Sequence, residues 1–416
     1  MKIKKLINVL IIFTIILTTF ILNKNYSYAD DNTDLNIYSD AVILIENQTG
    51  KTLYEKNSEQ KMYPASTTKI LTAIIAIEKG NLSDRVTVSK SAIAQMKSGY
   101  TSAYLSEGEI ISVEDLLKVL LVNSANDASN VLAEYISGSI EKFVNLMNEK
   151  AIELGCTNTH FVTTNGLHDD NHYTTAKDLS IIARYCMQNE TFRKIVSMKK
   201  CIIPATNKSE ERIYKNTNDL INPTSAYYYP SCIGIKTGYT SEAKNCLISA
   251  CSKNGLQVIA VVLGASITEN HKSARYVDSK TLYDYTYSNY SIQNIAKASS
   301  IVETIEIQNA TDETKSLELK LEKELNVLVN NKDKNNIKTE ISINNNLSAP
   351  IATNSVVGNI TYTIGTDKYT INLLASHDVE KKDNIIWVLR FILILIFLIL
   401  IILIMFKLSI KRKNKN

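Results

Sequence analysis

Residues 63–80 read Tyr63-Pro64-Ala65-Ser66-Thr67-Thr68-Lys69-Ile70-Leu71-Thr72-Ala73-Ile74-Ile75-Ala76-Ile77-Glu78-Lys79-Gly80. Pro64-Ala65-Ser66 opens a helix, the apolar residues continue it to Lys79, and Gly80 closes it. Ser66 and Lys69 stand three apart near its start, so they share one face and lie within reach of each other. A lysine in a polar, partly dry pocket with other cations nearby loses its proton near neutral pH and serves as a base. The helix N-terminus also favours negative charge on the serine and on a carbonyl oxygen it attacks. Alone, the Ser-x-x-Lys pair is common in helices, so its weight depends on what surrounds it.

Ahead of this helix, Asp40–Lys56 reads as a hairpin. Ala41-Val42-Ile43-Leu44-Ile45 is followed by a turn at Asn47-Gln48-Thr49-Gly50 and by Thr52-Leu53-Tyr54. Behind it, helical spacing recurs in 113–122, 126–137, 139–154 and 176–188. After Pro230 the period shortens. Cys232–Lys236, Cys246–Cys251 and Gln257–Leu263 read as adjacent antiparallel strands, and 271–287 as a helix. The expected fold class is α+β, with a sheet that takes strands from both ends of the domain and with most helices between them. The six cysteines (156, 186, 201, 232, 246 and 251) include no Cys-x-x-Cys pair, which leaves zinc and redox chemistry without support. They read mainly as small buried apolar residues, with Cys246 and Cys251 on opposite faces of a strand.

The chain has 416 residues, enough for two or three domains, and its 45% hydrophobic and 21% charged residues fit a folded protein. Composition changes near Ser299, and 299–378 reads as a small all-β domain. The formal charge of +4 is unevenly placed. Residues 1–29 contribute Lys2, Lys4, Lys5 and Lys24, and 385–416 contribute Arg390, Lys407, Lys411, Arg412, Lys413 and Lys415, neither with an acid. The middle is therefore net acidic, and nucleic acid is excluded as a partner because no basic face is available.

Met1–Lys5, an apolar run from Leu6 to Leu22 and Ser27-Tyr28-Ala29 are the parts of a signal peptide, 1–29, with cleavage after Ala29. The long apolar run leaves an uncleaved anchor as the alternative; either one sends residue 30 onward outside. At the other end, about 22 apolar residues of Ile385–Phe406 at ~1.5 Å each reach about 33 Å, enough for a transmembrane anchor. Arg390 can snorkel to the headgroups, and the basic tail 407–416 marks the cytoplasmic side. The expected location is the cell membrane, single-pass, with 30–295 as an extracytoplasmic catalytic domain.

Two further motifs accompany Ser66-Thr67-Thr68-Lys69. Ser124-Ala125-Asn126, just before a helix, offers a hydroxyl for proton relay and an amide for a substrate carbonyl. Lys236-Thr237-Gly238, in a strand, offers positive charge, a donor and room for a substrate backbone. Their order is that of the serine enzymes that react with penicillin. The chain resembles the low-molecular-mass penicillin-binding proteins that are serine-type D-alanyl-D-alanine carboxypeptidases. The match includes Tyr63–Lys69, Asn123–Ala128, Asn165–Asp169 with Asn171–Ala176, and Gly234–Thr240. It extends weakly to the β domain through Ala349-Pro350-Ile351 and Val356-Val357-Gly358.

This resemblance implies Ser66 as acylated nucleophile, Lys69 as its base and Ser124 as relay to the leaving D-alanine. It implies Asn126 on the substrate amide, Lys236 tuning the field, and Thr237 and Arg275 on the terminal carboxylate. Gly238 leaves space for the substrate, and the N–H groups of Ser66 and Tyr239 form the oxyanion hole. Peptidoglycan stem peptides are the implied substrate and β-lactams the covalent inhibitors, with no cofactor or metal. The chain departs from the family pattern at Lys244, where a glycine is common, and in ending on a span where many relatives carry an amphipathic helix.

Three rival readings share these parts. A β-lactamase needs a deacylating Glu, and Glu141-Lys142-Phe143-Val144-Asn145 resembles its string, but inside an amphipathic helix. A DD-endopeptidase uses the same residues. A non-enzymatic wall-binding or sensor protein need not keep both nucleophile and base. The five histidines (160, 168, 172, 271 and 377) form no triad with a serine, and His168 and His172 sit around a loop, which disfavours a metal pair.

Overall fold

In a computed structural model, the structure describes residues 35–413 except 95, 97, 98, 269, 271 and 384. The signal-peptide stretch 1–29 lies outside the described residues. The chain divides into two compact units between Ser288 and Asn289.

The first unit is built on a five-stranded antiparallel sheet. β1 (Ala41–Glu46) and β2 (Thr52–Lys56) form the expected hairpin. A 3₁₀ turn, Ala65–Thr68, then leads into α1 (Lys69–Lys79). A ribbon of β3 (Arg85–Thr87) and β4 (Ile110–Ser112) encloses the short α2 (Lys90–Ile93). Next come α3 (Val113–Lys118), a π-helical turn Val119–Asn123, α4 (Asn126–Ser137), α5 (Ile140–Glu153), α6 (Ala176–Cys186) and α7 (Glu190–Val196). A second ribbon, β5 (Lys200–Ile203) and β6 (Arg212–Lys215), precedes β7 (Cys232–Thr240), β8 (Lys244–Lys253) and β9 (Leu256–Ala265). α8 (Ala274–Asn289) follows. The strand order is β2-β1-β9-β8-β7, so the first and last strands of the unit pair at its centre.

Both faces of the sheet are covered, which explains why β1, β8 and β9 read as almost unbroken apolar runs. Ile43, Ile45, Ile248, Ala250, Val261 and Leu263 point into the core shared with α1, α4 and α6. Ser249 points the other way and accepts from Tyr283 of α8 at 2.5 Å. Cys246 and Cys251 are both buried, five residues apart on β8 and so on opposite faces. All six cysteines are free and buried. Lys244 occupies a left-handed position (φ 55°) at the β7–β8 turn and pairs with Asp40 at 2.8 Å. A glycine there would carry no Cβ strain, which is the physical content of the family preference. Glu141 and Asn145 are exposed on α5, whose buried face is Phe143, Met147 and Ala151. The Glu and Asn of the β-lactamase-like string thus face solvent.

The second unit is all β before its last helix. β10 (Tyr290–Ala296) pairs with β13 (Leu325–Asn330). β11 (Ile301–Glu306), β12 (Ser316–Leu321), β14 (Ile337–Ile343), β15 (Val356–Ile364) and β16 (Asp367–Ala375) form a sheet in the order β11-β12-β16-β15-β14. Leu317, Leu319, Leu321, Ile371, Leu373 and Ala375 alternate inward to make its core. The compositional change at Ser299 falls after β10, whose pairing belongs to this unit. α9 (Ile385–Lys413) is long and apolar enough over Val388–Leu408 to cross a membrane.

Candidate active site

Ser66 sits in the 3₁₀ turn ahead of α1, and the backbone there is held in an unusual shape. Ala65 is left-handed (φ 48°), and the Thr67 hydroxyl donates to Pro64 O at 2.6 Å. A non-glycine residue with positive φ costs of order 1–3 kcal/mol and persists where the surroundings over-determine it. Ser124, between the π-helical turn and α4, is likewise left-handed (φ 71°). Both strained residues thus fall in the motifs singled out from the sequence.

Lys69 is fully buried. Its Nζ lies 2.7 Å from each of three oxygens: Ser66 Oγ, Asn126 Oδ1 and the carbonyl of Asn165. A neutral amine has two N–H groups and one lone pair. Asn126 and Asn165 can take the two hydrogens, which leaves the lone pair for the Ser66 hydroxyl proton. Burial, and next the nearby Lys236 charge, hold Lys69 well below the usual lysine range, with Asp127 pulling the other way. Lys236 is also buried and is lowered to about 7 by burial and by Arg275. Its Nζ donates to Thr237 O at 2.9 Å.

β7 runs beside the 3₁₀ turn. A Cβ added to Gly238 would stand 3.0 Å from Ser66 N and 3.1 Å from Pro64 O, so a side chain here would press the turn away by a few tenths of an ångström. The same approach brings the backbone at Gly238 to the amide of Ser66. Arg275, at the start of α8, donates from Nη1 to Gly238 O at 3.3 Å and lies over the Tyr276 ring at 4.7 Å. Its Nε is buried without a partner. Thr237 is buried, and its Oγ1 is 2.6 Å from that of Thr217. The Tyr239 side chain is 64% exposed.

The structure therefore joins Ser66, Lys69 and Asn126 by direct hydrogen bonds. It sets Lys236, Gly238 and Arg275 against them from β7 and α8, and places Ser124 at the turn before Asn126. Several groups here carried no role in the sequence reading. Thr217 reaches Thr237, and the Tyr276 hydroxyl fixes Thr217 O at 3.1 Å. His172 is buried, held down to about 4 mainly by desolvation. Its Nδ1 accepts from Val162 N at 3.0 Å and Thr163 N at 3.2 Å, which leaves Nε2–H to donate to Thr68 Oγ1 at 2.9 Å. The ring is a strut between the 162–163 backbone and the turn that carries Ser66.

Asn165-Gly166 is the other half of that support. Gly166 has φ 82°, and a Cβ on it would fall 1.8 Å from Ala65 O and 2.8 Å from Thr68 Oγ1. Gly166→Ala is expected to destabilise the unit by about 2–4 kcal/mol, because it adds both left-handed strain and a backbone overlap. A thermal melt should show a midpoint lower by roughly 5 °C or more. An unchanged midpoint would contradict the close approach.

Comparisons with known proteins place the chain among characterised relatives. The family model described as D-alanyl-D-alanine carboxypeptidase matches residues 28–267. The model described as penicillin-binding protein 5, C-terminal domain, matches 290–381. The chain is 34% identical to D-alanyl-D-alanine carboxypeptidase DacF of Bacillus subtilis, over 84% of this chain and 88% of that one. It is 34% identical to the D-alanyl-D-alanine carboxypeptidase of Streptomyces sp. strain K15, over 59% of this chain and 85% of that one. Among solved structures, penicillin-binding protein 5 of Haemophilus influenzae superposes with a TM-score of 0.64 at 27% identity, covering 84% of this chain and all of the other.

Proposed function

The chain belongs to the D-alanyl-D-alanine carboxypeptidase family, and from that premise we propose how its own residues carry out the reaction. It is a serine-type D-Ala-D-Ala carboxypeptidase, a hydrolase of the penicillin-binding type. The observation that carries the residue assignment is the convergence of Ser66 Oγ, Asn126 Oδ1 and Asn165 O on the buried Lys69 Nζ.

Neutral Lys69 takes the Ser66 proton as Oγ attacks the carbonyl of the penultimate D-alanine of a peptidoglycan pentapeptide. The N–H groups of Ser66 and Tyr239 receive the developing oxyanion, where preorganised donors act at no reorganisation cost. Asn126 holds the substrate amide. Ser124 relays the proton to the leaving amine, the C–N bond breaks, and D-alanine departs. Water then cleaves the Ser66 ester and releases the shortened peptide. A β-lactam enters by the same attack and remains as the acyl group. The proposed organisation is a signal peptide at 1–29, a catalytic domain at 30–295, a β-rich domain at 299–378, a membrane anchor at 385–406 and a cytoplasmic basic tail at 407–416. The catalytic domain then faces the wall.

Exopeptidase action requires recognition of a free carboxylate. Thr237 and Arg275 supply it, and the unpartnered Arg275 Nε leaves the guanidinium with a buried donor to use. A guanidinium binds a carboxylate through paired charge-assisted bonds. The test is D-alanine or D-alaninamide release from diacetyl-Lys-D-Ala-D-Ala and from its C-terminal amide. Wild type should favour the acid by about 10-fold or more, and Arg275→Ala should lose most of that preference. Equal rates on both substrates in the wild type would replace this reading with an endopeptidase.

A further inference from the structure

Asp127, the residue after the Ser124–Asn126 motif, is 1% exposed and has no role in the reaction as described above. Its carboxylate is surrounded by neutral donors. Ser102 Oγ donates at 2.6 Å, Leu105 N at 3.0 Å and Ala128 N at 3.0 Å, while Ala103 N reaches both oxygens at 2.9 and 3.1 Å. Both of its oxygens thus have hydrogen-bond partners, as a buried polar group requires. The segment it grips is held from other directions as well. Thr101 O accepts from Asn126 N at 2.9 Å, and Ser102 O from Asn123 Nδ2 at 3.2 Å. Ala103 O accepts from Arg212 Nη1 at 3.0 Å and from the Tyr214 hydroxyl at 2.8 Å, both on β6. Arg212 is itself paired with the buried Glu109.

We propose that Asp127 is a positioning residue for acylation: it clamps the 101–105 segment onto the Ser124–Asn126 turn and sets its carboxylate one residue from the Asn126 that binds Lys69. The inference rests on the functional reading given above. Two consequences separate the clamp from the charge. Asn126 binds Lys69 directly and also donates to Thr101 O, so slack in 101–105 is passed to the base and to the substrate amide site. The charge acts on Lys69 through space. The charged and titratable groups facing Lys69 are Asp127 from α4, Lys236 from β7 and the neutral His172 from the loop before α6. Asp127 is the one anion among them and opposes the effect of Lys236. Without it, the Lys69 proton is lost at lower pH.

The experiment measures the rate of acylation by a fluorescent penicillin against pH in the full-length protein. Asp127→Asn keeps the shape and removes the charge. Its acidic limb should move to lower pH, and its plateau should fall about 3–10-fold as the clamp loosens. Ser102→Ala removes one donor and leaves the carboxylate. It should lower the plateau about twofold or more and leave the limb where the wild type has it. A limb that stays in place in folded Asp127→Asn overturns the proposal, as does a wild-type plateau in Ser102→Ala. If Asp127→Asn does not fold, the Ser102→Ala plateau and limb decide. Absence of wild-type labelling at Ser66 would overturn the functional reading; normal wild-type labelling with an unmoved limb overturns this inference alone.

Discussion

Ser66→Ala is expected to abolish covalent labelling by a fluorescent penicillin and to cut D-alanine release by about 10⁴-fold or more, the scale seen when a covalent nucleophile is removed. The fold should survive. Ser66 is partly exposed, and the contact its hydroxyl makes is the 2.7 Å bond with Lys69. With that hydroxyl gone, Lys69 still has Asn126 Oδ1 and Asn165 O, so no buried group is orphaned. The thermal midpoint should therefore stay within a few degrees of the wild type, at about 1 kcal/mol or less of lost stability. Mapping the adduct by peptide mass spectrometry checks the assignment. A penicilloyl group found on another serine, with Ser66→Ala still labelled, would transfer the nucleophile's role to that residue.

How much of this site could be read in the sequence follows from where its parts lie. Ser66 and Lys69 share a helical turn, and Lys236, Thr237 and Gly238 share a strand, so local spacing revealed them. The hairpin β1–β2 and the strands β7–β9 were legible as short apolar, β-prone runs bounded by turn residues, and the helix α1 by its opening Pro64-Ala65-Ser66 and closing Gly80, and they set the fold class. Asn165 contributes a backbone carbonyl, which no side-chain pattern announces. Thr217 matters because its hydroxyl meets that of Thr237 across the fold. His172 was legible as a loop histidine, and its strut role required knowing that Thr68 faces it. The β5–β6 ribbon escaped because Ile202 and Ile213 are exposed on its outer side, and its strands are four residues each, with Cys201, Ile203 and Tyr214 as the apolar residues on the inner one. β10 escaped for a similar reason, since most of its residues are half-buried. Periodicity reports burial on one face, and elements that bury little leave little trace.

Lys69→Arg is expected to lower the rate of acylation by about 10²-fold or more, because it substitutes a group that cannot give up its proton for one that must. The sign follows from the surroundings. Burial and the Lys236 charge both favour the neutral form of Lys69, so its proton leaves well below the usual lysine value. The active form is the deprotonated one. Acylation by the wild type should therefore rise with pH through that lowered pKa, and Lys69→Arg should lack this limb altogether. Arginine is also larger, and the site is fully closed, so part of the loss could arise from overpacking. Lys69→Met separates the two causes: it is unbranched, of similar length and carries no charge. It leaves the buried Asn126 Oδ1 and Asn165 O without the Lys69 donor, so its stability should fall by about 1–3 kcal/mol while the fold is kept. Its acylation should still fall by about 10²-fold or more, since no lone pair remains to take the Ser66 proton. Near-normal acylation by folded Lys69→Met would show that the proton leaves by another route, and Lys69 would then be a binding group only.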